Sequence, residues 1–168
     1  MDIVIAGYAG LSGSLKLFRE NAVKAGESFP PSYVKRMERM FEEGNTAAAA
    51  LRTLIPEDAL SLEAGNGGVN AALWDICGKA GCGMRLRLKE IPLLQETVEL
   101  CELLGRDPYT LESRGTFVIF SHGGDTLAEE LKAEGHATAL CGHTAADAKR
   151  LLIYDGIERF LTKPENLS

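Results

Sequence analysis

Apolar positions along this chain recur with two periods, and each switch between them marks an element. Residues 3–6, Ile-Val-Ile-Ala, form a continuous apolar run closed by Gly7 and predict a short buried strand. Leu11, Leu15, Phe18 and Ala22 fall three and four apart, predicting a helix over 11–25. Phe29-Pro30-Pro31-Ser32 breaks the pattern, and Ser32 is a candidate cap for a helix over 33–43 with Val34, Met37, Met40 and Phe41 inward. Asn45 then opens an alanine-rich helix over 46–54, ended by Pro56. A strand over 59–63 runs into Gly65-Asn66-Gly67-Gly68 and a helix over 69–80 that places Ala72, Leu73, Ile76 and Cys77 on one face before Gly81 stops it. Met84, Leu86 and Leu88 alternate with Arg85, Arg87 and Lys89, the mark of a half-exposed strand with one basic, solvated face. An amphipathic helix follows over 93–104, then a buried strand over 117–120, a helix over 125–134 capped by Asp125, and a strand over 138–141. Residues 151–154 and 157–161 close the chain as a hairpin around Asp155-Gly156.

This order of strands and helices implies an α/β (α+β) fold, a mixed sheet covered by helices, in one domain over 1–168. A 45% hydrophobic content fits a packed globule and excludes wholesale disorder. The formal charge of -6 argues against nucleic-acid binding, which needs clustered cations. No leader-like segment opens the chain and no apolar run reaches the ~20 residues of a membrane span. A cytoplasmic protein with no membrane partner is therefore expected, with Cys77, Cys82, Cys101 and Cys141 as reduced thiols.

Two loops carry candidate chemistry. Gly65-Asn66-Gly67-Gly68 precedes a helix, whose first N–H groups and partial positive charge suit a phosphate, with Asn70 placed to orient a ligand or to cap. The glycines alone are better explained by a tight turn, and no Gly-Lys-Ser/Thr follows to make a P-loop. Gly10-Leu11-Ser12-Gly13-Ser14 has the same form, but there Ser12 and Ser14 are expected to cap the helix. His122, Cys141 and His143 lack a fourth ligand and make a poor metal set, so no metal is expected.

Pieces spread over most of the chain also resemble a known family. They are Gly7 to Ser14, Phe29 to Tyr33, Gly67-Gly68-Val69 through Trp74, Gly83, Ile91-Pro92, Gln95 to Gly105, Asp107-Pro108-Tyr109 and Leu111 to Thr116. In this order and spacing the chain resembles the C-terminal domain of the aminoimidazole ribonucleotide (AIR) synthase superfamily, in particular its hydrogenase-maturation-like members. The resemblance implies a ferredoxin-like arrangement of the sheet. It implies that Gly10, Ser12, Gly13, Asn66, Gly67, Gly68 and Asn70 line one anion- or nucleotide-phosphate-binding cleft. Glu63 would stand where family enzymes carry an aspartate, while Gly65 lacks the family's threonine hydroxyl.

Family members bind ATP and magnesium through an N-terminal domain, to which nothing in this sequence corresponds. ATP and magnesium are therefore expected only through a separate ATP-binding domain, and the isolated chain is not expected to be active. The end Pro164-Glu165-Asn166-Leu167-Ser168 has no cysteine to carry a carbamoyl group, as the family's hydrogenase-maturation enzyme does. Three roles follow: a non-catalytic module binding a small anion or partner protein, half of an ATP-dependent phosphoryl-transfer or dehydration enzyme, or a homodimer closed through a face the other domain normally covers.

Overall fold

The computed structural model describes residues 1–165. Asn166–Ser168, on which part of the expectation about the tail falls, lie outside the described residues. The elements are β1 (Asp2–Ala6), α1 (Leu11–Glu20), α2 (Ala22–Ser28), α3 (Pro31–Leu54), β2 (Leu60–Glu63), α4 (Gly68–Ala80), β3 (Gly83–Arg87) with a 3-10 turn at Leu88–Glu90, α5 (Gln95–Leu104), β4 (Phe117–Ser121), α6 (Gly124–Ala133), β5 (Thr138–Ala145), β6 (Arg150–Tyr154) and β7 (Ile157–Phe160).

Seven strands form one mixed sheet in the order β2-β4-β1-β5-β3-β6-β7. Only β3 and β6 pair in parallel. The crossovers β2-α4-β3 and β4-α6-β5 travel the same way across the sheet, yet their strands point in opposite directions. A shared right hand therefore puts their helices on opposite faces. Accordingly, Ile3, Ile5, Val118, Phe120, Met84 and Leu86 pack with Val69, Leu73 and Ile76 of α4. Val4, Ala6, Phe117 and Ile119 pack on the other face with Leu127, Ala128 and Leu131 of α6 and Leu51 of α3. The mixed sheet with covering helices is as expected, and helices on both of its faces make three layers. A third cluster joins α1, α2, α3 and α5 through Leu11, Phe18, Met37, Phe41, Leu100 and Leu111, with Phe18 and Phe41 edge to face at 6.1 Å.

The structure departs from the periodicity at several points. The helix expected over 11–25 is two helices, because Asn21 leaves helical geometry at φ -124°, ψ 28° and its side chain donates to the Leu17 carbonyl (2.9 Å). The helices expected over 33–43 and 46–54 are one helix of 24 residues, begun by Pro31 without a side-chain cap from Ser32. Gly44-Asn45 reads as a stop signal but is not one. Gly44 lets Leu11 of α1 sit against α3, and the Asn45 amide donates to the Phe41 (2.7 Å) and Leu11 (3.2 Å) carbonyls.

Asp125 does not cap α6; Asp2 accepts from the Gly124 N–H instead (2.9 Å). The strand expected over 138–141 runs to Ala145. It carries a bulge where Ile3 faces Gly142 and Val4 faces Leu140, which leaves Cys141 unmatched and turned into the α4 side of the core. The basic strand face is not freely solvated: Arg85 binds Asp147, Arg87 donates to the Leu140 carbonyl, and Lys89, beyond the strand, pairs with Asp155. The final hairpin is as expected, with Asp155 at φ 50° and Gly156 at φ 77°. Among the described residues no helix is long and apolar enough to cross a membrane.

Two glycines test this packing in opposite directions. A Cβ at Gly142 would collide with the Arg85 carbonyl oxygen of the adjoining strand, whereas one at Gly26 in α2 would meet nothing. Gly142→Ala is expected to destabilise the fold by about 2–3 kcal/mol, and Gly26→Ala to stabilise it by about 0.5–1 kcal/mol. Urea unfolding midpoints check both.

Candidate functional site

The starts of α1 and α4 face one connecting segment, residues 107–116, from its two sides. At α4, the Gly68 N–H donates to the Gly65 carbonyl (3.0 Å), tightening the turn after β2. Gly68 has φ +70°, and a Cβ there would lie 2.5 Å from the Tyr109 oxygen and 2.7 Å from the Leu111 oxygen. Glycine is needed here for both the left-handed backbone and the close approach. The Asn70 N–H, one of the otherwise unpaired donors of a helix start, donates to Tyr109 O (3.0 Å).

At α1, Gly10 is left-handed at φ 71° and its N–H donates to the Ser113 hydroxyl (2.7 Å). The Gly13 N–H donates to Glu112 O (2.9 Å). Ser12 and Ser14 do not cap their own helix. Ser12 Oγ accepts from the Arg114 N–H (2.9 Å) and donates to Glu112 (3.2 Å), while Ser14 Oγ donates to Gly10 O (2.6 Å) and lies 3.0 Å from Thr97 Oγ1. Gly10, Ser12 and Gly13 are thus engaged by the protein's own residues 108–114.

A cleft opens at the start of α4. It encloses about 310 Å³ and is lined by Gly67, Asn70, Asp107 and Thr110 on one side and Arg159, Leu161 and Lys163 on the other, among other residues. The Oδ1 of Asn70 is buried and without a hydrogen-bond partner among the described residues, an unusual state for a buried polar atom. Asp107 accepts from the Tyr109 N–H (2.9 Å). Arg159 and Lys163 form no ion pair among the described residues. Burial, then the charge of Asp107, raise the pKa of the nearby Tyr109 phenol and keep it protonated.

The remaining expected residues are placed elsewhere. Asn66 is exposed on the turn. Glu63 lies opposite Phe117, on the sheet face away from α4, and binds Arg52 (2.8 Å). Gly67 and Asn70 are therefore the expected residues that meet in the cleft. Arg159 and Lys163 were missed because nothing local in the hairpin says that it folds over α4; that placement comes from the β3–β6 pairing. Among the described residues no group of three or more His, Cys, Asp or Glu side chains is placed to hold a metal ion, and all four cysteines are free thiols.

The mixed sheet with helices on both faces has the AIR-synthase-like fold of solved HypE and thiamine monophosphate kinase structures. The chain is homologous to HypE, of the AIR synthase superfamily, over a share consistent with a C-terminal AIR-synthase-like domain alone. Carbamoyl dehydratase HypE of Rhodobacter capsulatus is 34% identical over 85 residues, covering 48% of this chain and 25% of that protein. The crystal structure of E. coli HypE superposes with TM-score 0.69 at 22% identity, over 98% of this chain and 50% of that one. HypE in complex with ATP gives 0.68 at 19%, over 99% and 51%. Thiamine monophosphate kinase of Aquifex aeolicus gives 0.57 at 16%, over 97% and 51%. The chain thus spans about half the length of these solved structures and a quarter of the curated relative. No family model matches it.

Glu112 ties the bracing segment to α1 through Lys16 (2.6 Å), Ser12 and Arg114 (3.2 Å). Partial burial works to raise its pKa, but the Lys16 contact and the other donors outweigh this and hold it below the ordinary 4.5. A depressed carboxyl stabilises the fold fully above its unfolded pKa, and that stability is lost as pH falls through the folded value. Glu112→Gln is expected to cost about 1 kcal/mol at neutral pH, with the gap to the parent protein closing below pH 4.5. Urea unfolding at a series of pH values checks this.

Proposed function

We propose that this domain binds a small anion, such as the phosphate of a nucleotide, in the cleft at the start of α4, and that it is not catalytic alone. The observation that carries this reading is the convergence there, beside the carboxylates of Asp107 and Glu165, of Arg159, Lys163, the helix start at Gly67 and an Asn70 Oδ1 without a partner among the described residues. The Asn70 amide, turned over, directs its NH₂ donors at a bound oxygen; unturned, its oxygen accepts from a ligand hydroxyl or a bridging water. Phosphoryl transfer needs metal-assisted charge neutralisation as well as phosphate positioning, and the cleft supplies only positioning.

A second reading follows from the half-length match to a HypE that holds ATP. The domain then completes an ATP-dependent phosphoryl-transfer or dehydration site supplied by a separate ATP-binding half. On that reading the cleft anion is a phosphate of the shared nucleotide. Activity should appear only when the two halves are mixed.

Thermal unfolding with phosphate, sulfate and magnesium-ATP tests the site. A ligand at 100 times its Kd stabilises by about 2.7 kcal/mol, which for a domain of this size raises Tm by roughly 5–10 °C. The rise should be lost in Arg159→Ala and weakened in Asn70→Ala, both of which keep the Gly68 turn intact. No shift with any anion, in a parent protein that unfolds cooperatively, would overturn the cleft as an anion site.

A further inference from the structure

Helix α4 ends in a turn that brings two thiols together. The Gly81 N–H donates to the Gly78 carbonyl (3.4 Å) and the Cys82 N–H to the Cys77 carbonyl (3.1 Å), with Gly81 left-handed at φ 65°, ψ 35°. This pair of bonds is a Schellman motif, in which the side chains at the two ends of the six-residue turn, Cys77 and Cys82, meet. Those positions usually hold two apolar residues, and here both are cysteines. Cys77 is fully buried in the α4 cluster, and Cys82 packs on the same cluster from the rim while keeping partial exposure.

The Cys82 thiol lies close enough to Cys77 to perturb it. Burial first, then Cys82, push the Cys77 thiol up to about 11, against the opposing pull of the Arg150 guanidinium. That guanidinium also stacks on Trp74, 4.1 Å from the ring centroid. Cys101 is buried in the helical cluster and Cys141 on β5 in the α4 cluster, and no second thiol is among the groups that perturb either of them.

We propose that Cys77 and Cys82 are a thiol pair that closes to a reversible disulfide by exchange with a small disulfide of the glutathione class. The half-exposed Cys82, as thiolate, attacks one sulfur of the external disulfide. This forms a mixed disulfide and releases one small thiolate. The Cys77 thiol then loses its proton and attacks the Cys82 sulfur, expelling the second small thiolate. Two protein thiols are oxidised, and one external disulfide is reduced to two thiols. The ring closed by the bond is short, so it constrains the unfolded chain little. The bond therefore acts as a reversible latch on the helix end rather than a permanent staple.

Oxidised glutathione is the probe. Lys79 lies between the two cysteines, so trypsin separates them onto different peptides that stay joined only by the disulfide. The expected product is an intact chain lighter by two hydrogens and a linked peptide pair that dithiothreitol releases. Formation should speed up as pH rises toward the Cys77 value. The fluorescence of Trp74, the one tryptophan, should change on oxidation, because its stacked Arg150 neighbours Cys77, and should not change in Cys82→Ser. Cys82→Ser should also abolish the linked pair. A mixed disulfide on Cys82 that never resolves, or linkage through Cys101 or Cys141, would overturn the proposal. So would recovery of four free thiols after prolonged exposure of the folded protein.

Discussion

The close approach of residues 107–113 to the start of α4 is the contact on which the rest depends. Tyr109 packs beside the sheet-and-α4 cluster, while Leu111, two residues on, belongs to the cluster of α1, α3 and α5. One connecting segment, turned at 108–110, thus joins the helical layer to the sheet. It does so by giving its carbonyls to amides that helix starts normally leave unpaired. Gly68 permits the approach from one side, while Gly10 and Gly13 permit it from the other. A side chain at Gly68 would separate the layers and dismantle the cleft wall together.

Most elements were readable from periodicity, because β1, β4 and α4 bury one face or both and so carry strong patterns. The connections between elements were not. Gly44-Asn45 has the composition of a helix stop, yet the space it makes is filled by Leu11 from a helix more than thirty residues earlier. The glycines at 10, 13 and 68 were read as turn formers or as the lining of an anion site, and in the structure each lies against residues 108–112. A glycine records that something comes near, however, and not whether it is a phosphate or the chain's own carbonyl. At α1 it is the carbonyl of Glu112. At α4 the backbone is likewise engaged, and the Asn70 Oδ1 has no partner among the described residues. The cations across the cleft were invisible for a related reason: Arg159 reads as an ordinary exposed strand residue until the parallel β3–β6 pairing sets its position.

The outer edge of the sheet bears on assembly. β7 exposes Ile157 (71%) and Phe160 (66%), an apolar margin beside an unpaired strand edge. Two-fold antiparallel pairing of β7 with its own copy, in the registers of greatest overlap, sets Glu158 against Glu158 or Arg159 against Arg159. Like charges directly opposite are destabilising. The edge therefore resists self-addition while keeping apolar surface that a different chain could cover.

The β6–β7 hairpin meets the rest of the sheet along a single parallel strand pair whose two halves are separated by more than sixty residues of chain. Closing so long a loop is slow, and the hairpin is fastened to α4 as well, through Leu152 and Leu161 in the core and Arg150 stacked on Trp74. Because Arg159 rides on this hairpin and Asn70 on the rigid helix beneath, the cleft is assembled late in folding. Peeling this ribbon away would also draw Leu152 and Leu161 out of the core beside α4, so losing the cleft and opening the sheet-and-α4 cluster are one event.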